Sequence, residues 1–599
     1  MKEKRIIYLI MGVSSILILL IGITTAWFTW QSETNTNVTF EVSGLNITST
    51  NTNITGTLYP TMDKNNGVVE EFTIKQNNDI STPVCANITL TLTTLPTELN
   101  HESFRYKIYN GTNLVGSGNF ANTLEGETIT IATSQPITTT LSTYKLYIWI
   151  DGENYDNPLS MGGKSFLFKL TIKANQQENA CTPSVACDAD DVTPNTPVLA
   201  EGMIPIKWDG SKWVKASTDS WYNYSNKEWA NAVMVRTDKD SNVNGSRSRE
   251  QYMSADEGTK ILEDDILAYY VWIPRYKYQL FNVSSEVMDP IEICTQFEGK
   301  GTDKSSGTAN GDWLTHPAFT FGTTELAGIW VGKFSTTGDA TTPTIKPNLG
   351  MLTNQNVSTQ FTTSQIFGTT TYLTSTGVSE VDAHMMKNTE WGAVAYLKQS
   401  KYGLGTTDIG LNNYNSSPYL TGCGSTSGSS FSTTCNAYNT TDGMLASTTG
   451  NITGIYDMSA YTGTYVMGVM QDNTGTNTPM SGRSSSYNSG FTGKIYDSGN
   501  FTDFTGTPFP NTKYYDLYAY GTTYSDQTAY NRRILGDATG EVHGWYGDYA
   551  DFVGSDSSWF VRGSSYLDDP AYAGVFSFFD SDGGPYSLLV FRSVLAPGA

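Results

Sequence analysis

The C-terminal frame decides the fold: Trp559-Phe560-Val561-Arg562-Gly563, then Ala573-Gly574-Val575-Phe576, then Phe591-Arg592-Ser593-Val594-Leu595. Between these apolar pieces lie residues 564–572 and 577–590, where Tyr, Leu, Asp, Ser, Gly, Pro and Phe follow neither a helical nor a strand period. A rigid scaffold that carries irregular aromatic and polar insertions is typical of a binding surface. The pattern therefore predicts a sheet edge that presents side chains, without an acid–base pair.

The frame resembles the C-type-lectin-like domain of the formylglycine-generating-enzyme (sulfatase-modifying factor) type, as found in variable proteins of diversity-generating retroelements. That family holds a variable segment between an Arg-Gly-Gly-Ser strand, an Ala-Gly-Val-Phe strand and a closing Phe-Arg-x-Val-Leu strand. Here the first motif is Arg562-Gly563-Ser564-Ser565-Tyr566, with Ser in place of the second Gly. Residues 564–591 contain no Lys, Met, Trp, Gln or Glu, residue types that such adenine-directed mutagenesis does not generate.

Two upstream stretches resemble the same family. Residues 388–397 (NTEWGAVAYL) are similar to its Thr-Glu-x-Glu-Trp helix, and residues 454–459 (GIYDMS) to its Tyr-Asp-Met-Ser turn. The second match ends at residues 460–464 (AYTGT), where the family continues with a Trp-Glu pair. The resemblance spans roughly residues 260–599 and implies an α+β domain that binds a ligand.

Composition and charge limit the classes of function. Hydrophobic residues make up 38% of the 599 residues and aromatic residues 12%, which excludes global disorder. The richness in Asn, Thr, Ser and Gly favours short strands and long loops. We predict a mainly β protein with some α: an N-terminal antiparallel β sandwich, then a C-terminal α+β C-type-lectin-like domain. The formal charge of −22 would repel phosphate backbones, so we expect no nucleic-acid partner.

The N-terminus predicts export. Lys2, Lys4 and Arg5 precede an uncharged run, so residues 1–30 are expected to be a transmembrane anchor or a cleaved signal, contacting the membrane through residues 6–30. Both alternatives stay open. Residues 26–29 (AWFT) resemble the export segment of camelysin-type and biofilm-fibre subunits of Gram-positive bacteria. A cell-surface or extracellular location follows from either alternative.

Residues 31–176 predict a two-sheet sandwich that acts as a spacer or self-assembly module. Apolar residues alternate with polar ones at Ile88, Leu90 and Leu92, and Asn110-Gly111 marks a hairpin turn. Residues 177–202 contain Pro and Asp and read as a linker.

Residues 203–262 predict a small aromatic β module with four tryptophans, Trp208, Trp213, Trp221 and Trp229. These indoles either form the core of a small sheet, the interpretation we favour, or provide a platform for a sugar ring. Residues 263–599 are assigned to the lectin-like domain, and Pro274 predicts an edge position or a strand end near its start.

The six cysteines invite a disulfide interpretation in an exported protein. Cys181 and Cys187 could close locally, and so could Cys423 and Cys435. Cys85 and Cys294 have no obvious partner by spacing, and we expect both to be single buried thiols. None of these spacings is that of a zinc site.

We predict no enzymatic activity and no cofactor or metal. The four histidines are scattered along the sequence, and the reactive cysteines of the formylglycine-generating relatives have no counterpart after Cys435. Residues 580–583 (DSDG) resemble the start of a calcium loop, but the later acidic ligand is missing, which favours a plain turn.

The variable segment 564–590 is predicted to meet an unknown protein or glycan on another cell or particle, as in an adhesin. Interleaved tyrosines and aspartates on one face resemble a paratope. The expected ligand contacts are Tyr566, Leu567, Asp568, Asp569, Tyr572, Ser577, Phe579, Asp580, Asp582, Tyr586 and Leu588. The expected scaffold residues are Trp559, Arg562, Gly563, Gly574, Phe576, Phe591 and Arg592. The alternatives are a structural cell-surface fibre subunit and, disfavoured by its cysteines, a formylglycine-generating-type oxidase.

Overall fold

The computed structural model describes residues 36–40, 50–76, 83–111, 113–121, 123–152, 159–176, 181, 192–219, 221–237, 245–280, 290–307, 312–411, 422–423, 436–459, 462–564 and 573–598. The protein is mainly β with some α, which confirms the predicted fold class. It divides into two compact units, Met1–Asp191 and Val192–Ala599. The predicted membrane segment 1–30 lies outside the described residues. In the described part of the chain, every helix is too short or too polar to cross a bilayer.

Unit 1 contains two sheets that enclose one apolar core. One sheet has the order β1-β4-β9-β6-β7, with β3 also paired to β9, and the other has the order β2-β10-β5-β8. Most neighbours are antiparallel as predicted, but β1 with β4 and β3 with β9 are parallel. The strands are β1 Thr36–Phe40, β2 Thr50–Leu58, β3 Pro60–Thr61, β4 Val68–Gln76, β5 Val84–Thr94, β6 Phe104–Asn110, β7 Asn113–Asn119, β8 Thr128–Ile137, β9 Ser142–Asp151 and β10 Lys164–Gln176.

The alternating pattern of unit 1 produces this core directly. Ile88, Leu90 and Leu92 of β5 are completely buried, because alternate side chains of a strand point to the same face. Burying side chains of this size stabilises the fold by about 1.5–3 kcal/mol each. The turn at Asn110 and Gly111 joins β6 to β7 as predicted, and Gly111 adopts φ +61°, a conformation that glycine reaches without strain.

The predictions for three cysteines are wrong. Cys85 of β5 forms a disulfide with Cys181, so Cys181 does not pair with Cys187, and Cys85 is not a thiol. The last residues of β10 pair with the first residues of β5, which carries the following chain back to Cys85. Cys294 is also disulfide-bonded and is therefore not a buried thiol either. Cys187 and Cys435 lie outside the described residues.

Unit 2 is built around a seven-stranded antiparallel sheet, β12-β11-β13-β14-β20-β34-β23, and a five-stranded sheet, β30-β26-β31-β32 with β33 beside β26. Their strands are β11 Met203–Trp208, β12 Trp213–Lys215, β13 Asn231–Val235, β14 Ile266–Pro274, β20 Gly328–Gly332, β23 Val381–Met385, β26 Gly463–Met470, β30 Asp516–Tyr518, β31 Trp559–Arg562, β32 Phe578–Ser581, β33 Leu589–Phe591 and β34 Ser593–Pro597.

Among the described residues, smaller sheets and five short helices complete unit 2. The other strands are β15 Tyr276–Gln279, β16 Cys294–Phe297, β17 Leu314–Thr315, β18 Thr320–Phe321, β19 Thr324–Glu325, β21 Thr337–Gly338, β22 Pro343–Thr344, β24 Gly422–Cys423, β25 Asn436–Ala437, β27 Met480–Gly482, β28 Gly493–Asp497 and β29 Asn500–Phe504. The helices are α1 Arg249–Ser254, α2 Val357–Gln365, α3 Ser375–Glu380, α4 Asn388–Lys398 and α5 Gln527–Tyr530.

The segment 203–262 is not a separate module. Its strands β11, β12 and β13 belong to the seven-stranded sheet, and β13 pairs directly with β14. Trp213, Trp221 and Trp229 are buried in the core of unit 2, which confirms the packing interpretation for these three, whereas Trp208 is half-buried. A two-stranded hairpin cannot bury such large side chains alone, so the segment needs the neighbouring strands.

The second half of the predicted linker 177–202 also packs onto unit 2. The Asn195 side chain donates to the backbone oxygens of Glu298 and Ala327, and Trp330 Nε1 donates to the Val198 oxygen at 2.7 Å. These bonds fix the stretch, so residues 192–202 are part of the domain.

Helix α4 confirms the helical prediction for residues 388–397. All of its residues are buried, and the Glu390 carboxylate accepts the Lys387 backbone N–H at 2.8 Å, which caps the first turn. Pro274 is the last residue of β14, so it marks a strand end inside the sheet and not an edge.

Candidate ligand-binding face

Arg562, the last residue of β31, anchors the N-terminal end of the predicted variable segment. β31 lies between β26 and β32 in the five-stranded sheet. The fully buried guanidinium donates to Asn388 Oδ1 at 3.2 Å and to the backbone oxygens of Asp537 at 3.2 Å and Ala538 at 2.8 Å. All three acceptors lie outside the segment 564–590, so this anchor does not depend on the side chains of the segment.

The chain leaves β31 through two residues with left-handed backbone conformations. Gly563 has φ +81° and Ser564 has φ +57°. A non-glycine residue in this region costs about 1 kcal/mol, so Ser564 is held against its own preference. Gly563 N donates to the Ser577 oxygen at 3.2 Å, which ties the start of the segment to the chain that follows it.

Residues 573–576 follow the stretch 565–572, which is the first part of the predicted variable segment, and they fix the C-terminal end of that stretch. They form a turn, so the strand expected at Ala573-Gly574-Val575-Phe576 is displaced, and β32 begins at Phe578. Trp391 Nε1 donates to the Val575 oxygen, and the Asp548 carboxylate accepts the Phe576 N–H, both at 2.9 Å. These two bonds occupy the backbone groups that a strand would use for pairing.

Gly574 is required at this turn by close packing. A Cβ atom at Gly574 would lie 2.1 Å from both carboxylate oxygens of Asp548. Burial, followed by the nearby charge of Asp408, raises the pKa of Asp548 well above its usual range. The carboxyl group and the glycine therefore form one rigid support beneath the segment's exit.

Arg592 anchors the closing strand pair. Its buried guanidinium donates from Nη1 to the Gly332 oxygen at 2.5 Å and from Nη2 to the oxygens of Tyr456 and Asp457 at 2.7 and 3.2 Å. Asp457 lies in the Tyr-Asp-Met-Ser turn, has φ +59°, and its carboxylate accepts Ser335 N at 3.0 Å. Two of the motifs that carry the family resemblance are thus bonded to each other.

The other predicted scaffold residues are buried in the same core. Trp559, Phe576 and Phe591 are each at most 1% exposed, and Trp559 Nε1 donates to the Ser481 oxygen at 3.1 Å. A frame of this kind keeps the backbone in place when exposed side chains change.

The predicted contact residues have different environments. Phe579, Asp580, Tyr586 and Leu588 are half-buried, so part of each side chain reaches solvent. Tyr566, Leu567, Asp568, Asp569 and Tyr572 lie outside the described residues. Ser577 and Asp582 are buried at 0% and 7% exposure, so the expectation that they are exposed contacts is wrong.

Asp582 is buried because it organises the turn after β32. Its Oδ1 accepts Gly584 N at 2.8 Å, and its Oδ2 accepts the Tyr586 hydroxyl at 2.7 Å. The carboxylate therefore positions Tyr586 instead of meeting a ligand. The predicted plain turn agrees with this use, and the described residues contain no group of three acidic, His or Cys side chains that could hold a metal ion.

The half-buried residues fall on opposite faces of β32. Phe579 lies against Gly463 of β26, on the face where Ser581 Oγ meets the Tyr465 hydroxyl at 2.7 Å. Asp580 lies on the opposite face, because neighbouring side chains of a strand alternate. The sequence prediction of one continuous face is therefore wrong for these two residues.

Asp580 sits in an acidic, tyrosine-rich surrounding. Burial, together with the charges of Asp551 and Asp556, raises the pKa of Asp580 to about 7. The Tyr549 hydroxyl donates to the Asp551 carboxylate, and Tyr549 is 39% exposed. With its pKa raised to about 7, Asp580 can offer either a carboxyl donor or a carboxylate acceptor at neutral pH.

Sequence reasoning missed Tyr549 and Tyr487 as candidate contacts. Tyr487 is 54% exposed, and its hydroxyl lies near enough to Tyr586 to affect the pKa of that tyrosine. Residues 546–551 (YGDYAD) interleave tyrosine and aspartate as the variable segment does, and that signal could have found Tyr549. The stretch 484–488 offers no such interleaving.

Among the histidines, His384 has the most strongly charged surrounding. Its Nε2 lies 2.9 Å from Glu390 Oε1 and its Nδ1 3.5 Å from Asp382 Oδ1, with the ring stacked on Phe321. Burial alone would lower its pKa, but the two carboxylates outweigh burial and raise the pKa of His384 to about 9. The imidazolium and Glu390 are fully buried, whereas the Asp382 side chain is 15% exposed, and the three groups together support the start of α4.

No family model matches the chain, and no curated protein sequence matches it. The assignment of function therefore depends on the geometry and on the motifs of this chain.

Proposed function

We propose that this protein is a ligand-binding or adhesion protein of the cell surface that displays a C-terminal binding face on a C-type-lectin-like scaffold of the formylglycine-generating-enzyme type. The face consists of the segment 565–572 with the half-buried Phe579, Tyr586 and Leu588, whereas Asp580 lies on the opposite face of β32. Its ligand is a protein or glycan on another cell or particle, and residues 6–30 hold the protein at the membrane or export it. Recognition is by shape and stacking, without a chemical step.

One observation carries this proposal: both ends of the segment are anchored by groups outside it. Arg562 and Arg592 bind backbone oxygens of other elements, and Trp391 and Asp548 hold residues 575 and 576. Backbone oxygens are present whatever the side chain, so the frame tolerates exchange of contact residues. This separation of a fixed frame from exchangeable contacts also supports retroelement-directed diversification of the segment.

The composition of the face supports binding over packing. Tyrosine provides large contact area with few rotatable bonds, and aspartate sets polarity. The exposed fractions of Tyr549 and Tyr487 extend the same chemistry beyond the segment.

A triple substitution tests the proposal. The full chain with Tyr566→Ala, Tyr572→Ala and Tyr586→Ala is compared with wild type on a glycan array and an array of extracellular proteins. We expect the variant to lose at least one set of wild-type signals while its melting temperature stays within a few degrees. Tyr59→Ala, at a tyrosine of unit 1 that is 58% exposed, is the matched control and should keep all signals.

Two outcomes contradict the proposal. A collapse of the melting temperature in the triple variant would show that these tyrosines are core residues, and unchanged array signals would show that they do not contact the ligand. At the level of the gene, an adenine-rich near-copy of the last hundred-odd bases beside a reverse transcriptase would support diversification directly.

A structural role in a surface fibre is the second candidate. In the described part of unit 1, β1 and β7 are the outer strands of one sheet and β2 and β8 those of the other. Outer strands offer unpaired backbone groups to another chain. Negative-stain electron microscopy of the purified full chain decides: fibres favour this candidate, and single particles oppose it.

A further inference from the structure

A cleft of about 380 Å³ opens on the surface of unit 2, lined by residues that belong to none of the sets discussed for the C-terminal face. Three segments form its walls: the β11–β12 hairpin, residues 260–264 and residues 438–439. Its volume falls within the range of about 300–1,000 Å³ that is usual for small-molecule sites. The site is therefore large enough for a small ligand and is independent of the function proposed above.

The indole of Trp208 forms the apolar wall. Trp208 is half-buried and pairs across the hairpin with the buried Trp213, with ring centroids 5.4 Å apart and an edge-to-face angle of 69°. An edge-to-face pair fixes the plane of both rings.

The hairpin that carries Trp208 is held rigidly. Asp209 Oδ1 accepts the backbone N–H groups of Ser211 and Lys212, both at 2.9 Å, and Gly210 takes φ +98°. The Lys212 ammonium lies 2.7 Å from Asp209 Oδ2. Ile261 N donates to the Trp213 oxygen at 3.0 Å, which joins the second wall to the hairpin. A preformed site of this kind loses little entropy when a ligand binds.

Polar groups with remaining hydrogen-bonding capacity surround the indole. Glu263 Oε2 accepts the Tyr269 hydroxyl at 2.5 Å, which leaves its other oxygen for a ligand, and Trp213 Nε1 donates to the Tyr438 hydroxyl at 3.1 Å. Within the described part of the chain, Trp208 Nε1, the Lys260 ammonium and the Asn439 amide have no hydrogen-bond partner. The cleft thus combines one flat apolar wall with donors and acceptors at its rim.

The charges of the cleft select against ionic ligands. Lys212 is already paired with Asp209, and Lys260 faces the same cleft as the carboxylates of Glu263 and Asp264. An anion would meet these carboxylates, and a cation would meet the lysines. A neutral ligand rich in hydroxyl groups, with an apolar face, fits both constraints.

We propose that this cleft binds a neutral pyranose unit of an oligosaccharide, with its C–H face against the Trp208 ring. The partly positive C–H groups meet the negative face of the indole. The hydroxyl groups donate to Glu263, accept from the Lys260 ammonium, and both donate to and accept from the Asn439 amide. This gives the protein a glycan subsite on the seven-stranded sheet, in addition to the C-terminal face.

The experiment titrates the full chain with cellohexaose and chitohexaose by isothermal titration calorimetry, with hexagalacturonate as the charged probe. We expect at least one of the two neutral hexasaccharides to bind and hexagalacturonate not to bind. Trp208→Ala should weaken that binding at least tenfold. Trp313→Ala, at another half-buried tryptophan of unit 2, is the matched control and should leave it unchanged.

Asn439 is an exposed turn residue, and its replacement leaves the hairpin intact. Asn439→Ala should weaken binding about threefold or more. This second variant keeps the test valid if Trp208→Ala fails to fold. The proposal is overturned if neither neutral hexasaccharide binds at 10 mM, an excess of about tenfold over millimolar affinity. It is equally overturned if binding survives both Trp208→Ala and Asn439→Ala. Failure here leaves the C-terminal face untouched, because the triple tyrosine variant tests that face separately.

Discussion

Replacing Arg592 by Lys tests whether buried arginines hold the frame of the binding face. One guanidinium nitrogen donates to the backbone oxygen of Gly332, and the other donates to the backbone oxygens of Tyr456 and Asp457. A lysine ammonium is a single point donor and cannot reach both groups of acceptors. One or two of these buried carbonyl oxygens would lose their hydrogen-bond donor. Each loss lowers the free energy of unfolding by about 1–3 kcal/mol. We therefore expect the free energy of unfolding of unit 2 to fall by about 1–6 kcal/mol.

The assay is urea unfolding of the full chain followed by tryptophan fluorescence, to which Trp272, Trp330 and Trp391 in the core of unit 2 contribute. Arg483→Lys, at an exposed arginine, is the matched control and should change stability by less than about 0.5 kcal/mol. If Arg592→Lys also changes stability by less than about 0.5 kcal/mol, the clamp contributes nothing to the frame and the reasoning is refuted.

Three further predictions concern the disulfide and two titrating groups. Cys181→Ser opens the link to Cys85, which closes a loop with a sequence separation of 96, and should lower the unfolding free energy of unit 1 by about 2–4 kcal/mol; an unchanged urea midpoint of unit 1 would contradict this. Asp580→Asn should stabilise the protein at pH 8 and have little effect at pH 4, because a carboxyl whose pKa is raised to about 7 destabilises the folded state only when it is ionised; equal melting-temperature shifts at both pH values would refute the assignment. His384→Gln should destabilise most below about pH 6.5, the unfolded pKa, and progressively less as the pH rises through 9, because the stability from the raised pKa of His384 is lost on deprotonation; a stability difference constant from pH 6 to pH 10 would exclude this role.

Local patterns of the sequence predicted the elements whose stability is decided locally. The alternation at Ile88, Leu90 and Leu92 marks a strand because one face of β5 is buried along its whole length. The helix at 388–397 is expected from the resemblance of that stretch to the family's helix, and the end of β14 at Pro274 from the missing N–H of proline. These features need no knowledge of distant neighbours.

The rest depended on contacts between residues far apart in the sequence. Cys85 pairs with Cys181 because β10 returns to β5, and spacing along the chain does not reveal that topology. Ser577 and Asp582 are small and polar, which suggests exposure, but neighbouring backbone groups bury them. Residues 573–576 have strand-like composition, yet Asp548 occupies the Phe576 N–H that a strand would need.

The two buried arginines explain how one frame can present different contact residues. Arg562 and Arg592 bind mainly backbone oxygens, and in the described part of the chain neither forms an ion pair with a carboxylate. A carboxylate partner would have to be retained as a particular residue, whereas a backbone oxygen is supplied by every residue type. Ser564 keeps a left-handed conformation that its side chain disfavours, so contacts on both sides, and not local preference, set the backbone there. In the function proposed above, substitutions within 565–572 would therefore change the chemistry of the face without changing what holds its ends in place.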